Sequence, residues 1–460
     1  MLAGYLYLHP EIKFKVQGNK DNKQLYLQSA KARPKFKSSS KYVVNEIAME
    51  ILQQFDGRKT YEEIIQYFID KYNEPTDSVE RKIKYVLDTL ATEHGYQVVS
   101  QSQPAVQTKI NEIISEVFPE VVSIELTNNC NMRCKHCYGK FDCVGTDEIP
   151  KEKLQPLFAS LSKIGVSTVE LTGGDPSQYR YTSDAIRIAL EEGVGSIMLL
   201  TNGADLSDEL VDTLEKYTNQ LFVQIDLHSL DEGYFDWFTG SVGNLPKVIK
   251  NIDMLISRGI RVRVCSIFTP GNYHEIKEIA EWVYNRKAFA FAPSLVVELG
   301  RASDSDKDEN LLFISKDQII EFGSLVEEVG NTYPKDFIRK NDVLADKINH
   351  CGALLSSCSI RADGELKLCT MDSGDDFALS LGNVLDEPID EIYAKNRDFI
   401  NDFSAIIMPK QNLAECMNCA NVLFCSKCLL RGFLRSRDFA GGCDWYKNHV
   451  PQSVQERFPM

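Results

Sequence analysis

The segment CNMRCKHCYG, residues 130–139, holds three cysteines separated first by three residues and then by two. These cysteines are Cys130, Cys134 and Cys137. A cubane iron–sulfur cluster has four irons that are each normally held by one thiolate, so three cysteines on one loop leave one iron open to another ligand. A zinc site completed elsewhere, for example by His136, and a chance grouping are alternatives that the spacing leaves open.

The apolar segment VVSIEL, which begins at Val121, ends just before this loop and is the first of six similar segments. The six are VVSIEL, STVELT, SIMLLT, FVQIDL, VRVCSIF and FAFAPSLVV. Helical sequence lies between them, and this alternation predicts an α/β fold with a parallel sheet or an incomplete barrel. Chemistry in such barrels gathers at the carboxyl ends of the strands. CNMRCKHC, GGD and TNG follow the first three strands, so we expect them to share one mouth.

The first 100 residues have a different pattern from the barrel. YLYLHPEIKFKV and KQLYLQSA predict strands, whereas VVNEIAMEILQQF, TYEEIIQYFIDKY and VERKIKYVLDTLATEHG predict three helices. The polar stretch SQSQPAVQTK and the following INEIISEVF indicate a linker. We therefore expect domains at residues 1–100, 121–309 and 310–460, with a linker at 101–120.

Composition narrows the class of protein. The chain of 460 residues has a net charge of -15, which argues against nucleic-acid binding because phosphate contacts need a basic surface. It shows no signal peptide and no apolar run of about 18 residues, so we expect a cytoplasmic protein that is not inserted in a membrane. Its 13 cysteines are clustered, and in such a chain they indicate metal ligands more than disulfides.

The cysteine loop, with His136 before its last cysteine, resembles the CxxxCxφC loop of radical S-adenosylmethionine (SAM) enzymes. The resemblance implies that SAM supplies the missing ligand by chelating the open iron. It also implies that His136 lines the adenine and that Gly173, Gly174 and Asp175 hold the methionine amino group. Glycine suits this role because it lets the backbone approach a ligand closely. The family usually has glutamate where Asp175 stands, so the shorter acid implies an indirect contact.

Other positions match the same family more weakly. Asn202, Arg263 and the segment 300–302 stand where related enzymes place SAM-contacting or site-closing residues, although a turn or core role fits each of them equally. Many relatives read Ser-Leu-Asp in the fourth strand, where this chain has Asp226, Leu227 and His228. Asp226 is therefore a candidate for ribose recognition that the family pattern does not secure. A local acid, a peptide contact and a buried polar side chain remain open for His228.

The C-terminal cysteines resemble the SPASM extension, which binds two additional four-iron clusters. By that resemblance one cluster is held by Cys416, Cys419, Cys425 and Cys443. The other is held by Cys351, Cys369 and Cys428, with Cys358 as a possible fourth ligand. Cys425 and Cys428 enclose two residues where the family has three, and zinc is the alternative for paired CxxC units. Cys143 and Cys265 match nothing and are interpreted as structural.

Together these parts resemble maturases of sactipeptides and related thioether peptides. The resemblance implies SAM and three [4Fe-4S] clusters as cofactors, with a precursor peptide and an electron donor such as flavodoxin or ferredoxin as partners. A winged-helix-like N-terminal domain would bind the peptide leader. A 5′-deoxyadenosyl radical would then remove hydrogen from an acceptor residue, and a cysteine sulfur would bond to that carbon. The sequence assigns no side chain to catalysis.

Three other functions remain as alternatives. A formylglycine-forming enzyme like the anaerobic sulfatase maturases would share the SAM and SPASM parts, but it would have no obvious need for residues 1–100. Carbon–carbon crosslinking or epimerisation of a peptide would share all the parts. A zinc-stabilised scaffold that binds a peptide is the alternative outside enzymes.

Overall fold

A computed structural model describes most of the chain. The described residues are 4–8, 13–19, 22–28, 42–94, 98–105, 113–114, 117–304, 310–313, 316–338, 349–372, 379–437 and 442–459. The strands are β1 Tyr5–Leu8, β2 Lys13–Asn19, β3 Asn22–Gln28, β4 Tyr42–Val43, β5 Asp56–Thr60, β6 Val98–Gln101, β7 Ile113–Ile114, β8 Val121–Thr127, β9 Thr168–Gly173, β10 Ser196–Thr201, β11 Leu221–Asp226, β12 Val262–Phe268, β13 Ala290–Leu295, β14 Ser357–Ile360 and β15 Leu366–Lys367.

Helices connect most of these strands. They are α1 Glu46–Leu52, α2 Tyr61–Tyr72, α3 Thr76–His94, α4 Leu154–Lys163, α5 Thr182–Glu191, α6 Asp208–Lys216, α7 Glu232–Thr239, α8 Leu245–Ser257, α9 Ile276–Asn285, α10 Arg301–Asp304, α11 Lys316–Thr332, α12 Ile389–Lys395, α13 Arg397–Ser404, α14 Val422–Cys425, α15 Leu429–Arg437, α16 Asp444–His449 and α17 Gln452–Gln455. Within the described ranges, none of the helices combines the length and the apolar character needed to cross a membrane.

The N-terminal region pairs a small sheet with helices α1, α2 and α3. Its three strands are antiparallel in the order β5-β1-β6, and the buried side chains of Leu6, Phe55 and Ile64 fill the core between sheet and helices. A capping box fixes the start of α2, because Thr60 accepts from the backbone of Glu63 and Glu63 accepts from the backbone of Thr60. The three predicted helices are therefore confirmed, whereas β5 and β6 are strands that the sequence patterns did not indicate.

A second N-terminal sheet runs in the order β4-β3-β2-β7. The strands β2 and β3 form an antiparallel pair, and β7 lies parallel to β2 with Phe14 opposite Ile113. Because β7 falls inside the segment expected to be a linker, part of residues 101–120 pairs with the N-terminal strands.

The central region is the predicted partial barrel, and this expectation is confirmed. Six strands, β8 to β13, lie parallel and side by side in chain order, with helices α4 to α9 between them. Alternate residues of β11 are buried against the helices, and the others, including Gln224 and Asp226, are turned to the barrel interior. All six predicted strand segments occur as strands.

The C-terminal region extends the barrel sheet. The strand β14 lies parallel to β8, with Cys358 opposite Val122, and β15 pairs antiparallel with β14. The sheet therefore has eight strands in the order β13-β12-β11-β10-β9-β8-β14-β15. One continuous hydrophobic core runs from the barrel into the C-terminal helices, where the Trp445 indole donates to the Ile407 carbonyl at 2.7 Å. The described residues of the C-terminal region are thus packed onto the barrel, and β14 pairs with β8, the strand that precedes the cysteine loop.

Candidate active site

The three predicted strand ends meet at one cavity. This cavity has a volume of about 170 Å³ and is bounded by the cysteine loop, by the ends of β9, β10 and β11, and by α7. All three loop thiols line it. The expected site residues that also line it are His136, Gly173, Gly174, Asp175, Asn202 and Asp226. The structure therefore brings together every expected SAM-site residue except Arg263.

Backbone hydrogen bonds and one arginine hold the cysteine loop in place. The Cys130 N–H donates to the Asp142 carbonyl at 2.9 Å, and the Arg301 N–H donates to the Cys137 carbonyl at 2.9 Å. The Arg301 guanidinium also donates to the carbonyls of Cys134 and Phe141, at 2.5 and 2.8 Å. Three backbone groups of the loop and the carbonyl of Phe141 just after it are therefore occupied, which holds the loop beside the cavity.

Gly300 allows Arg301 to reach the loop. It has a φ of +56°, and a Cβ at this position would lie 2.3 Å from the Tyr138 carbonyl oxygen. Only glycine fits both the left-handed conformation and the close approach. The sequence predicted a role for segment 300–302 near the site, and in the structure this segment clamps the cysteine loop from the opposite side of the barrel.

Burial disfavours the thiolate form of the loop cysteines. Burial raises the pKa of Cys130 to about 12, and the carboxylate of Asp175 adds to the effect. The pKa of Cys134 is raised well above its ordinary value by burial and then by the thiolate of Cys137. The Arg301 guanidinium opposes these shifts in the pKa of both thiols. Such a thiol set needs compensating positive charge, which bound iron would supply.

Gly173 and Gly174 let the end of β9 approach the segment before the cysteine loop. A Cβ on Gly173 would lie 2.2 Å from the Thr127 carbonyl oxygen, and one on Gly174 would lie 2.2 Å from that of Asn129. Gly173 also has a φ of +126°, which side-chain-bearing residues rarely adopt. Any larger residue here would push the cysteine loop away from the β9 end.

Asp175 is buried, and its hydrogen bonds hold the backbone segments around the cavity in place. Its carboxylate accepts hydrogen bonds from the Thr201 hydroxyl at 2.9 Å, the Asn202 N–H at 2.7 Å and the Ser177 N–H at 2.8 Å. It thereby fixes the TNG turn that follows β10. The Asn202 amide then donates to the Asn131 side chain at 2.6 Å, which ties that turn to the cysteine loop. With three protein donors bound, Asp175 positions the backbone around the cavity, consistent with the indirect contact expected for the shorter acid.

Two neutral histidines form an aromatic wall. The His136 ring stacks on Phe238 with centroids 4.7 Å apart, and it meets the His228 ring edge-on at 4.8 Å. Burial lowers the pKa of His136 to about 4 and lowers that of His228 well below its ordinary value. The His228 Nδ1 accepts from the Ile267 N–H at 3.1 Å, so the neutral ring carries its proton on Nε2. His228 is therefore a hydrogen-bond donor at the cavity wall.

Arg263 does not line the cavity, and its side chain instead contacts Gln224 inside the barrel. Its Nε donates to the Gln224 Oε1 at 2.9 Å, and Gln224 in turn donates to Asp226 at 3.5 Å. Burial, together with the charge of Asp175, raises the pKa of Asp226 to about 7. Gln224 was missed by the sequence reasoning, although it lies two residues before Asp226 and so faces the same side of β11.

The C-terminal cysteines form two sets. Burial raises the pKa of Cys425 to about 12, and the nearby thiolates of Cys419, Cys443 and Cys416 contribute to this shift. These are the four cysteines expected to share a cluster.

The second set contains three thiols. The pKa of Cys369 is raised by burial and then by the thiolate of Cys428, the carboxylate of Asp372 and the thiolate of Cys351. Cys425 and Cys428 belong to different sets although they are three residues apart. Lys427, with a φ of +69°, turns the chain sharply between them. This left-handed turn separates the two thiols despite the shorter spacing.

Cys358 stands apart from both sets. It lies in β14, is only 1% exposed and belongs to the hydrophobic core. Burial raises its pKa to about 12, and a hydrogen bond with the Tyr393 side chain opposes this shift. The structure therefore places Cys358 as a core residue, and the assignment of a fourth ligand to this position stays a prediction without support from its surroundings.

Two further cysteines lie outside the thiol sets. Cys143 is exposed on the loop after the cluster motif, and Cys265 lies on β12 opposite Asp226. Within the described ranges, no group of three or more His, Cys, Asp or Glu side chains is arranged to hold a single metal ion.

The site fits SAM bound to an iron–sulfur cluster. Three thiols face one cavity, and among the described residues the buried Nδ1 of His136 has no hydrogen-bond partner. A buried nitrogen of this kind is costly unless a ligand or water binds it. The cysteine loop would hold the cluster, with His136 and the ends of β9, β10 and β11 around the ligand.

Comparisons with known proteins agree with this geometry. Residues 124–283 match the Radical SAM superfamily, residues 351–420 match an iron–sulfur cluster-binding domain named SPASM, and residues 35–94 match the coenzyme PQQ synthesis protein D, PqqD. The chain is therefore a radical SAM enzyme with a SPASM domain and a PqqD-like N-terminal domain. SAM and iron–sulfur clusters are its cofactors, and the zinc-scaffold alternative is set aside.

Its relatives include a bacteriocin biosynthesis protein and a killing factor maturation protein. The chain is 26% identical to the antilisterial bacteriocin subtilosin biosynthesis protein AlbA of Bacillus subtilis, over 89% of this chain and 90% of AlbA. It is 25% identical to the sporulation killing factor maturation protein SkfB of the same species, over 45% of this chain and 50% of SkfB. A structure of Streptococcus suis SuiB bound to precursor peptide SuiA matches with a TM-score of 0.62 and 14% identity, covering 94% of this chain and 97% of SuiB. SuiB thus shares the fold.

Proposed function

We propose that this protein is a maturase that forms thioether crosslinks in a ribosomally made precursor peptide. The observation that carries the proposal is the union, in one chain, of a three-thiol SAM cavity, two further thiol sets and a PqqD-like domain. The similarity to AlbA extends over all three parts. Formylglycine formation, the alternative that needs only the SAM and SPASM parts, would leave residues 1–100 without a role.

The chain's own residues prepare the cavity for radical chemistry. Bound there, SAM and a reduced cluster supply a 5′-deoxyadenosyl radical that can take hydrogen from an unactivated carbon. Arg301 and Asp175 hold the cysteine loop and the β10 turn in fixed positions around this cavity. His136 and Phe238 close one side with an aromatic wall that excludes water. Asn202, Asp226 and the His228 Nε2–H line the cavity and would present polar groups to bound SAM.

The C-terminal thiol sets complete the reaction's electron balance. Forming one thioether removes two hydrogens from the peptide. One leaves as a hydrogen atom, while the other leaves as a proton from the thiol together with one electron. Two auxiliary clusters, giving three [4Fe-4S] clusters in all, would accept that electron. The set of Cys351, Cys369 and Cys428 has three thiols, so its cluster would keep one iron open for the donor cysteine sulfur of the peptide.

The N-terminal region would bind the leader of the precursor peptide. Peptides commonly add a strand to an exposed sheet edge, where main-chain hydrogen bonds supply affinity. SuiB, which has the same fold, has been solved with a precursor peptide. A flavodoxin or ferredoxin would supply the first electron, and the cytoplasm is the compartment that suits such a partner.

An anaerobic reaction tests the proposal. The protein is reconstituted with iron and sulfide, then mixed with SAM, a reductant and a cysteine-bearing peptide encoded beside its gene. We expect a loss of about two mass units per bridge, the disappearance of free thiols and the formation of 5′-deoxyadenosine. A carbon–carbon crosslink would give the same mass loss with all thiols retained, epimerisation would leave the mass unchanged, and formylglycine formation would remove the sulfur. Each of these outcomes contradicts thioether formation.

A further inference from the structure

A second cavity lies beside the SAM cavity. Its volume is about 280 Å³, and three separate parts of the chain bound it. These parts are the end of β8 with Glu125 and Asn128, the loop 139–147 after the cluster motif, and the C-terminal residues 361–363 with Lys367. The barrel, the loop after the cluster motif and the SPASM domain therefore all line the second cavity.

A buried ion pair belongs to the lining of this cavity. The Lys367 ammonium lies 2.7 Å from the Glu125 Oε1, and the two side chains are only 5% and 4% exposed. A buried pair of this kind is weak evidence for stability, since an apolar pair of similar volume often does as well or better. Charged pairs in cavities are candidates for functional sites on physical grounds.

The two cavities share a wall. Phe141 lines both, while Tyr138 lines the SAM cavity and its hydroxyl lies 3.4 Å from the Glu125 Oε1. The Tyr138 and Phe141 rings meet edge to face with centroids 5.6 Å apart. A ligand in the second cavity would therefore be separated from the SAM cavity by these two aromatic side chains.

The lining of the second cavity suits a neutral, polar ligand. It contains three basic side chains, Lys140, Arg361 and Lys367, and four acidic ones, Glu125, Asp142, Asp147 and Asp363. Arg361 and Asp363 form a second ion pair at 3.0 Å, and both are partly exposed. This balance of charge does not select an anion such as phosphate. Each ion pair in the lining combines a donor cation with an acceptor carboxylate, and a peptide backbone presents the complementary C=O and N–H groups.

We propose that this cavity holds the backbone of the precursor peptide close to its acceptor residue, an inference that rests on the proposed function. The Lys367 ammonium has three N–H donors, so it can bind Glu125 and a peptide carbonyl at once. The Glu125 carboxylate accepts a peptide N–H in the same way. Recognition of backbone rather than side chains lets the site hold successive segments as different bridges are made. Tyr138 and Phe141 position the segment against the SAM cavity.

Photocrosslinking locates the peptide directly. The full reconstituted protein is mixed with a precursor peptide that carries a benzophenone amino acid next to an acceptor residue, irradiated and digested for mass spectrometry. We expect the adduct in residues 138–147 or 361–367. Adducts found only elsewhere would overturn the proposed site. Wild-type protein that leaves the unlabelled peptide unchanged would instead contradict the proposed function, so the two failures are distinguishable.

Steady-state kinetics on two cavity variants and one control variant give a second test. The double variant Glu125→Leu with Lys367→Met replaces the ion pair by apolar side chains of similar size, and it is used only if iron and bound SAM equal the wild-type contents. We expect its KM for the peptide to rise at least about tenfold, because charge-assisted hydrogen bonds are lost. Arg361→Gln, at the more exposed ion pair, should raise the KM by a smaller factor. Lys163→Met removes an ion pair with Asp390 outside the cavity and serves as the control. An unchanged KM in both cavity variants would overturn the proposal.

Discussion

The cysteine loop and the C-terminal cysteines both bring thiols together into sets that can hold iron–sulfur clusters, but the thiols are assembled in different ways. The loop thiols lie within eight residues, and they face one cavity under the clamp of Arg301. The C-terminal thiols come from segments between Cys351 and Cys443, and only tertiary packing sorts them into two sets. A local set beside a cavity can offer an open iron to a small molecule. Sets built from distant segments form only when the fold is complete, and in the proposed function they would accept an electron while one of them also binds the donor sulfur.

The largest effect is expected at the cysteine loop. Cys134→Ala removes the thiolate from one iron, so 5′-deoxyadenosine formation should fall at least about a thousandfold, because the cluster carries the chemistry. The exposed Cys143→Ser on the following loop is the control and should keep the activity. Anaerobic assay of 5′-deoxyadenosine with iron content checks both. Similar losses in the two variants would contradict the distinction between the motif and its neighbours.

The second effect separates the two kinds of thiol set. Cys416→Ala should lower peptide crosslinking about a hundredfold and reduce SAM cleavage much less, because the first cluster keeps its ligands. The ratio of product to 5′-deoxyadenosine, measured in single reactions, gives the result. Equal losses of product and SAM cleavage would mean that the C-terminal set has no separate role.

The third effect tests the N-terminal region. Phe55→Ala leaves a cavity in the small core, at a cost of about 3–5 kcal/mol, and should loosen the N-terminal domain. We expect a KM for the full precursor about ten times higher, with a smaller effect on a leaderless peptide. Tyr85→Ala, at a position 72% exposed, is the matched aromatic control. A KM that is unchanged for the full precursor would argue against leader binding here.

The smallest effect concerns the clamp on the cysteine loop. Arg301→Lys keeps the charge but cannot donate to the Cys134 and Phe141 carbonyls in the same forked geometry. SAM cleavage should slow by about tenfold or less, as for other groups that orient metal ligands. Arg258→Lys, at a surface ion pair with Asp212, should show no change. A rate equal to wild type would show that backbone hydrogen bonds alone hold the loop.

Much of the fold could be predicted because its signals are local. Each barrel strand is a short apolar run, and the residues after the first three runs form one cavity, as the parallel arrangement requires. The strands β5 and β14 escaped prediction because they contain charged or small residues, such as Asp56 and Ser357, and are ordered by their partners.

The site was predicted less completely than the fold. The loop cysteines were identified from spacing, but the inward position of Arg263 and its bond to Gln224 depend on the barrel's interior packing. Cys358 lay within a cysteine-rich stretch, and only its pairing in β14 showed that it is buried in the core. The Glu125–Lys367 pair joins residues 242 apart in sequence, so no local pattern could reveal it.

The most direct test of the account follows SAM binding by electron paramagnetic resonance of the reduced clusters. One variant lacks the loop thiols through Cys130→Ala, Cys134→Ala and Cys137→Ala, and the other lacks C-terminal ligands through Cys369→Ala and Cys416→Ala. We predict that SAM changes the spectrum of the second variant and leaves that of the first unchanged. A SAM-induced change in the variant without loop thiols would contradict the assignment of the open iron to residues 130–137.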